Sequence, residues 1–218
     1  MSLALFDLDN TLIAGDSDYE WGKWLVHKGK VDSGHYQQMN ERFYRDYERG
    51  VLDIHAYLDF ALAPLAEIDK KELDALHREF MAQIITPMWL IGAENLLAKH
   101  RKRGDMLVII SATNRFIVEP ICKKLGVDEI IATEPEVCDG HYTGRVSGTP
   151  SYQEGKVKRL QCWLKGRRET LRDSYFYSDS INDLALLQLV DNPVAVDPDA
   201  ELRVEAETRG WPVISLRD

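Results

Sequence analysis

The sequence is poor in several features that would assign it to a specialised class of protein. It has only three cysteines, at positions 122, 138 and 162, and none stands in a CxxC spacing. This excludes a disulfide scaffold or a zinc ribbon and favours free thiols in a reducing compartment. No apolar run approaches the roughly 18 residues of a membrane helix. No charged segment with a long apolar core precedes the first strand, so we expect no signal peptide and a cytoplasmic protein.

Positive charge is also scarce. The chain has 27 Lys and Arg against 36 Asp and Glu, a net charge of −9. We therefore expect no nucleic-acid partner and no anionic-membrane partner, because both require a basic face. A small anionic substrate remains compatible with this charge, since a bound cation and one lysine can invert the field of a single cleft. The sequence gives no indication of oligomeric state.

The 218 residues, 44% of them hydrophobic, are sufficient for a sizeable core. Short apolar runs rich in β-forming residues predict strands at 3–6, 106–110, 129–133, 174–177, 193–196 and 212–215. Helix-like segments separate most of these runs, which indicates an α/β fold with a doubly wound, mainly parallel sheet. Residues 138–144 contain an Asp-Gly pair and predict a β-hairpin.

The interval between the first two predicted strands is far longer than an ordinary crossover connection. It contains four predicted helices, at 16–27, 33–49, 53–65 and 69–85, each starting at Asp or Ser, which are preferred capping residues. We therefore predict a helical cap at 15–86, inserted into a catalytic core formed by 1–14 and 87–218. The joints would be Ala14-Gly15 and Thr86-Pro87.

Two carboxylates and a hydroxyl, from Asp7, Asp9 and Thr11, follow the first predicted strand. Ligand and catalytic groups in open α/β sheets lie at the carboxyl ends of the strands. Asp7 and Asp9 are two residues apart, so in extended chain their side chains share one face. Their charges repel each other unless a cation neutralises them or one carboxyl takes a proton.

Three further segments carry candidate chemistry. The run from Ser111 to Asn114 lies between a predicted strand and a helix. A hydroxyl and main-chain N–H groups at this position can bind a phosphate group, and an ordinary helix cap is the alternative. Lys156 is placed near a helix N-terminus, where the dipole disfavours a cation and anion binding would account for it. Asp179 and Asp183 flank Asn182 after another strand. This oxygen-only set favours Mg²⁺ over zinc, and a solvated helix-capping turn is the alternative.

Together, Asp7-x-Asp9-x-Thr11, Ser111, Lys156 and Asp179-x-x-x-Asp183 resemble the four motifs of the haloacid dehalogenase superfamily. The long helical interval resembles its phosphoserine-phosphatase-like branch, whose cap follows the first strand. The resemblance implies a Mg²⁺-dependent phosphatase that hydrolyses a small phosphate monoester through an aspartyl-phosphate intermediate. It makes Asp7 the nucleophile and Asp9 the general acid and base.

The resemblance also implies the binding roles. Phosphoryl oxygens would be held by Thr11, Ser111, Ala112 and Lys156. Mg²⁺ would be held by Asp7, the Asp9 main-chain carbonyl and Asp179, with Asp183 in or behind that shell. Substrate and cap contacts would come from Asp16, Asn114 and Asn182.

Asp16 matches the acidic residue that meets the substrate's amino group in phosphoserine phosphatases. Their cap arginine, which grips the substrate carboxylate, falls at Ala61 when residues 50–54 anchor the alignment. An unpaired carboxylate would bind poorly, so the expected substrate is an amino-bearing phosphate without a carboxylate, with histidinol phosphate as the lead. An arginine supplied by Arg42, Arg45 or Arg49 would favour phosphoserine instead.

Two other functions remain open at this point. A phosphotransferase or phosphoryl-accepting switch can also combine strand-end aspartates, a hydroxyl and a lysine. Receiver domains of that kind lack such an insert, and the acid at Asp9 favours turnover over storage. A binding protein that lost its activity is disfavoured, because each motif position holds the expected residue type.

Overall fold

The computed structural model describes residues 2–127 and 129–217. Its centre is a seven-stranded sheet in the order β4-β3-β2-β1-β5-β6-β7. Neighbouring strands are parallel except for the β3–β4 pair. The strands are β1 (Leu3–Phe6), β2 (Met106–Asn114), β3 (Glu129–Cys138), β4 (His141–Ser147), β5 (Tyr175–Ser178), β6 (Asn192–Val196) and β7 (Val213–Ile214). The predicted α/β fold with a mainly parallel sheet is confirmed.

Helices cover both faces of the sheet. They are α1 (Ser17–His27), α2 (Ser33–Glu48), α3 (Ile54–Glu67), α4 (Lys70–Phe80), α5 (Ile91–Arg103), α6 (Arg115–Lys124), α7 (Glu154–Leu164), α8 (Leu184–Leu187) and α9 (Ala200–Arg209). None of those helices, which come from the described residues, is long and apolar enough to cross a membrane.

The central strand β1 shows why the sheet is buried on both sides. All four of its residues are buried. Ala4 and Phe6 belong to the apolar cluster shared with α5, α6 and the helices α1, α3 and α4. Leu3 and Leu5 belong to the opposite cluster, with α7, α8 and α9. A continuous apolar run is what a strand covered by helices on both faces requires.

Strand β2 is longer than the run predicted at 106–110. Pairing with β3 is interrupted after Ile110 and resumes where Asn114 faces Thr133. The Thr133 Oγ1 hydroxyl donates to the Ala112 carbonyl at 2.7 Å, which holds the irregular segment against β3. Residues 111–113 therefore lie in the irregular end of a strand rather than in a loop.

The hairpin predicted at 138–144 is present but longer, because β3 and β4 extend it on both sides. Asp139 and Gly140 have φ angles of 49° and 80°, the left-handed pair that a two-residue hairpin turn requires. The hairpin packs against α3, and at Gly144 an added Cβ would lie 3.4 Å from the Ala66 Cβ. It therefore supports the inserted helices.

Four helices, α1 to α4, lie in the predicted insert at 15–86, as the capping pattern indicates, and α5 follows them before β2. Their N-caps are Asp16, Asp32, Asp53 and Asp69, each accepting hydrogen bonds from main-chain N–H groups. The predicted helix at 69–85 is α-helical only to Phe80 and continues as a π-helical turn, Met81–Ile85.

The two predicted joints lie side by side. Ala14 N–H donates to the Met88 carbonyl at 2.8 Å, and Ile13 pairs with Trp89 in an isolated antiparallel bridge. Independent motion of a cap at 15–86 relative to a core at 1–14 and 87–218 stays a prediction.

Only a short helix follows the acidic turn after β5. Ile181–Asp183 forms a 3₁₀ turn, and only Leu184–Leu187 is α-helical. Ser180 caps the 3₁₀ turn by accepting from the Asn182 N–H. The acidic turn is therefore tightly wound where Asp183 faces the site.

Candidate active site

The sheet order brings the sequence motifs to one edge. Strands β2, β1 and β5 are neighbours and parallel. Their carboxyl ends, and the segments that follow them, therefore lie at the same edge of the sheet. Asp7 and Asp9 follow β1, Ser111 is in the last part of β2, and Asp179 follows β5. The structure thus brings together groups that are up to about 170 residues apart in the chain.

Lys156 joins two of these segments. Its ammonium lies 2.7 Å from Asp7 Oδ1 and 2.7 Å from Asp183 Oδ2, and the side chain is 2% exposed. Burial by itself would lower the pKa of Lys156, but the charges of Asp183 and Asp7 outweigh it and raise the pKa above its usual range. Gly155 lets the start of α7 lie against Pro150, since a Cβ at residue 155 would lie 2.1 Å from the Pro150 carbonyl oxygen. Lys156 is therefore a permanent cation beside Asp7.

Asp7 is the most central carboxyl of the group. It is 5% exposed, and burial raises its pKa to about 7, with Lys156 lowering it and the charges of Asp183 and Asp9 raising it. Asp179 also has a pKa well above its usual range, because of burial and the charge of Asp7. These carboxyls therefore repel each other when both are ionised.

Thr11 links the loop after β1 to the loop after β5. Its hydroxyl donates to Asp179 Oδ1 at 3.0 Å and accepts from the Asp179 N–H at 3.0 Å. The side chain thus orients Asp179, and phosphate binding by Thr11 stays a prediction.

Asp9 is oriented by donors from two elements. Its Oδ1 accepts from the Ser17 N–H at 2.7 Å, and its Oδ2 accepts from Thr113 Oγ1 at 2.8 Å, with Ser111 Oγ at a long 3.4 Å. Burial raises the pKa of Asp9 and these hydrogen bonds lower it, for a net increase. Thr113 was not singled out by sequence reasoning. The available signal was that residues 111 and 113 share one face of an extended chain.

The donor set suits a hard divalent cation. Within the described part of the chain, no three His, Cys, Asp or Glu side chains form a metal-binding group by themselves. The predicted set needs only two carboxylates, from Asp7 and Asp179, with the Asp9 main-chain oxygen. Mg²⁺ commonly uses one or two carboxylates and keeps several waters. The mutual repulsion of these two carboxyls is a second feature that fits a cation.

Asp183 is engaged differently. Its Oδ2 accepts from both Lys156 Nζ and Ser178 Oγ at 2.7 Å, and the side chain is buried. This arrangement suits a residue that positions Lys156 from behind the metal-ligand set. Ser178, the last residue of β5, carried no signal in the sequence beyond its place in the strand.

A cavity opens from these groups into the helices α1, α2 and α3. Its walls combine four carboxylates with six aromatic rings, and none of the described lining residues is Lys, Arg or His. The lining residues are Asp7, Asp9, Asp16, Asp18, Tyr19, Asn40, Phe43, Tyr44, Tyr47, Leu52, Ile54, Tyr57, Ser111, Ala112, Thr113 and Tyr152. The cavity is therefore acidic and aromatic, which favours a cationic group on a bound molecule.

The arginine question has a structural answer. Ala61 is buried in α3 and is not one of the described residues that line the cavity. Arg42, Arg45 and Arg49 line a separate groove with Asp46 and Glu48. No arginine of the described ranges is therefore among the residues that line the cavity.

Asp16 and Asp18 lie together at the start of α1. Asp16 Oδ1 accepts from the main-chain N–H groups of Asp18 at 2.9 Å and Tyr19 at 2.8 Å. The pKa of Asp16 is raised well above its usual range by burial and by the charge of Asp9. Burial raises the pKa of Asp18 to about 7, and the Tyr57 hydroxyl lowers it in part. Asp18 was missed from the sequence because an acid in a first helical turn is ordinary.

The two predicted asparagines behave differently. Asn182 Nδ2 donates to the Tyr47 carbonyl at 3.0 Å, and its Oδ1 accepts from Tyr152 and Gln153 at 3.1 Å. Asn182 thus connects the acidic turn to the end of α2. Asn114 is 2% exposed and belongs neither to the cavity walls nor, through its side chain, to the cap of α6. The structure does not bring Asn114 to the cavity.

The chain is similar to a known protein family and to known proteins. A family model described as haloacid dehalogenase-like hydrolase matches residues 4–188. A histidinol-phosphatase of Neisseria meningitidis serogroup C (strain 8013) is 52% identical over 220 residues, covering 99% of this chain and 99% of that protein.

Solved structures extend the comparison. The crystal structure of a protein with unknown function from Bordetella pertussis Tohama I is 44% identical, with a TM-score of 0.92, covering 99% of this chain and 98% of that one. A substrate-bound phosphoserine phosphatase complex has a TM-score of 0.74 at 21% identity, covering 100% of this chain and 94% of that one. The second similarity is one of fold alone.

Proposed function

The chain belongs to the haloacid dehalogenase-like hydrolase family and is a phosphoric monoester hydrolase, and from that premise we propose that it hydrolyses histidinol phosphate with Mg²⁺ through an aspartyl-phosphate intermediate. The observation that carries the substrate assignment is the acidic, aromatic cavity beside Asp7, whose described walls hold no basic side chain. The similarity to a histidinol-phosphatase supports the same substrate and a role in amino-acid biosynthesis.

The first half of the reaction uses Asp7 and Asp9. The Asp7 carboxylate forms a bond to phosphorus as the ester P–O bond breaks, and Asp9 gives its proton to the departing alcohol oxygen. The raised pKa of Asp9 is the property that a general acid needs near neutral pH. Thr113 and the Ser17 N–H hold the Asp9 carboxyl for this transfer.

The second half restores the enzyme. Asp9, now ionised, takes a proton from water as the water oxygen bonds to phosphorus and the bond to Asp7 breaks. Inorganic phosphate leaves, and Asp9 again carries a proton. Lys156 stays charged throughout and, with Ser111 and the Ala112 N–H, would hold the phosphoryl oxygens.

Mg²⁺, held by Asp7, Asp179 and the Asp9 main-chain oxygen, would screen the nucleophile from the phosphate charge and polarise the phosphoryl group. Closure of the helices over the site would exclude water during transfer.

The cytoplasmic location expected from the three free cysteines stays a prediction.

Asp16 accounts for the choice of an amine. One oxygen caps α1, and the side chain lines the cavity next to Asp9. A protonated amine there would offset the burial cost of the carboxylate. The carboxylate of phosphoserine would instead enter an acidic cavity without a cationic partner, which is unfavourable.

Steady-state kinetics with Mg²⁺ would test this proposal. We expect kcat/KM for histidinol phosphate to exceed that for O-phosphoserine at least about 100-fold, since an unpaired buried charge costs several kcal/mol. Activity should be lost with EDTA and return with Mg²⁺. A preference for phosphoserine would overturn the substrate assignment.

The phosphoenzyme can be examined by rapid quenching. We expect a hydroxylamine-sensitive phosphoprotein that decays within one turnover and is absent from Asp7→Asn. A phosphoenzyme that persists for minutes after substrate removal would instead support the phosphoryl-accepting switch.

A further inference from the structure

Asp18 is a cavity carboxyl that phosphate-ester hydrolysis does not use. It lies two residues beyond Asp16 in the first turn of α1 and lines the same cavity. None of the ion pairs among the described residues includes Asp18. A second carboxyl beside Asp16, with its pKa raised by burial and by the charge of Asp9, is unfavourable in the free protein. A ligand that supplies a cation or an N–H donor would offset that cost.

The groups follow a defined order along the cavity. The bond from the Ser17 N–H to Asp9 places the start of α1 next to the catalytic carboxyls. Burial and then the charges of Asp7 and Asp179 raise the pKa of Tyr47. Burial and then the charges of Asp18 and Asp16 raise the pKa of Tyr57. The Tyr47 carbonyl accepts from Asn182 of the acidic turn at 3.0 Å, so Tyr47 is near the catalytic groups, whereas Asp18 is beside the Tyr57 hydroxyl.

The cavity also has aromatic walls. Tyr57 meets Phe43 edge to face, with ring centroids 5.4 Å apart, and Tyr19 stacks on Tyr44 at 4.4 Å. All four rings line the cavity. Aromatic walls and a carboxylate in one cavity suit a flat ring that carries an N–H or a positive charge.

We propose that Asp18 is a specificity-determining residue that accepts a hydrogen bond from the N–H of a flat, nitrogen-containing ring on the substrate. This inference rests on the proposed function and extends it. Asp7 marks the phosphoryl position, Asp16 the amine and Asp18 the ring, which is the imidazole in histidinol phosphate. The enzyme would thus select phosphate monoesters that carry two basic groups.

The test compares two substrates in wild-type enzyme and Asp18→Asn. Histidinol phosphate has the phosphate, the amine and the ring, whereas O-phosphoethanolamine lacks only the ring-bearing part. We expect Asp18→Asn to raise KM for histidinol phosphate about 10- to 100-fold with kcat within about 3-fold, as for loss of a charge-assisted hydrogen bond. Its kcat/KM for O-phosphoethanolamine should stay within about 2-fold of wild type.

Two further variants sharpen the result. Asp59→Asn, exposed on α3, is the matched control and should leave both substrates unchanged. Tyr57→Phe removes the hydroxyl beside Asp18 and should raise KM for histidinol phosphate with a smaller effect than Asp18→Asn.

The outcomes separate this inference from the proposed function. An equal loss on both substrates, or no loss on histidinol phosphate, would overturn the assignment of Asp18 while leaving the proposed reaction in place. A wild-type enzyme that hydrolyses other phosphates but not histidinol phosphate would overturn both. A loss confined to the ring-bearing substrate supports both.

Discussion

Removing the charge of Asp18 should make the unliganded enzyme more stable. Burial raises the pKa of this carboxyl from an ordinary 3.8 to about 7. A tenfold change in proton affinity corresponds to about 1.4 kcal/mol, so ionised Asp18 would cost at most about 4 kcal/mol. Water in the cavity screens part of the charge, and we expect Asp18→Asn to add about 1–2 kcal/mol to the free energy of unfolding at pH 8.

The sign of the effect depends on pH. Between about pH 4 and pH 7 the unfolded chain has lost the Asp18 proton while the folded chain retains it, so wild-type stability falls as pH rises through this window. Asparagine does not titrate. The advantage of Asp18→Asn over wild type should therefore grow from pH 4.5 to pH 8 and then level off.

Thermal unfolding at pH 4.5 and pH 8 measures this difference. For a chain of this size 1 kcal/mol corresponds to roughly 2–4 °C in Tm, so the variant should gain about 2–8 °C relative to wild type between the two pH values. Asp59→Asn should show a constant offset. A gain that does not increase with pH, or a variant less stable than wild type at pH 8, would refute the reasoning. Together with the increase in KM, a gain in Tm would show that Asp18 is kept for binding at a cost in stability.

Three other substitutions test the catalytic groups. Asp7→Asn should lower kcat at least about 1,000-fold in steady-state assays because it removes the nucleophile, and the variant should still fold because Lys156 keeps Asp183 as its buried partner; residual activity within 10-fold of wild type would contradict this. Thr113→Val loses the 2.8 Å hydrogen bond to Asp9 and should lower kcat about 10-fold, with recovery in Thr113→Ser; equal loss in both variants would argue against the hydroxyl. Asn182→Ala breaks the link between the acidic turn and α2 and should raise KM about 5- to 10-fold with little change in Tm; an unchanged KM would contradict the link.

Much of the fold was predictable because its signals are local. The strand Leu3–Phe6 is a continuous apolar run, and the Asp-Gly hairpin turn follows from conformational preference. Capping residues predicted the starts of the four inserted helices, at Asp16, Ser33, Asp53 and Asp69, and the structure shifts only the second cap, to Asp32. The boundary that failed at the end of β2 depends on contacts with a distant segment. Pairing with Thr133 extends β2 to Asn114, which no pattern within residues 106–114 indicates.

The candidate site divides in the same way. Asp7, Asp9, Lys156 and Asp179 were identified because their chemistry and order match a known family. Thr113 and Ser178 were missed because a hydroxyl in a strand is common, and only the structure places each beside a carboxylate. Asn114 was included because it follows the strand predicted at 106–110, but in the structure it is the last residue of β2, paired with Thr133, and does not line the cavity.

The sequence alone determined the family, the type of reaction and the presence of a helical insert, because reactive groups, caps and apolar periodicity are written in neighbouring residues. Only the tertiary structure decided what lines the cavity beside Asp7: the carboxylates of Asp16 and Asp18 and aromatic walls, with the three candidate arginines in a separate groove. The physical reason is that selectivity depends on the charge and shape of a cavity. Its walls come from five separate stretches of the chain, and their meeting is set by sheet order and helix packing rather than by local pattern.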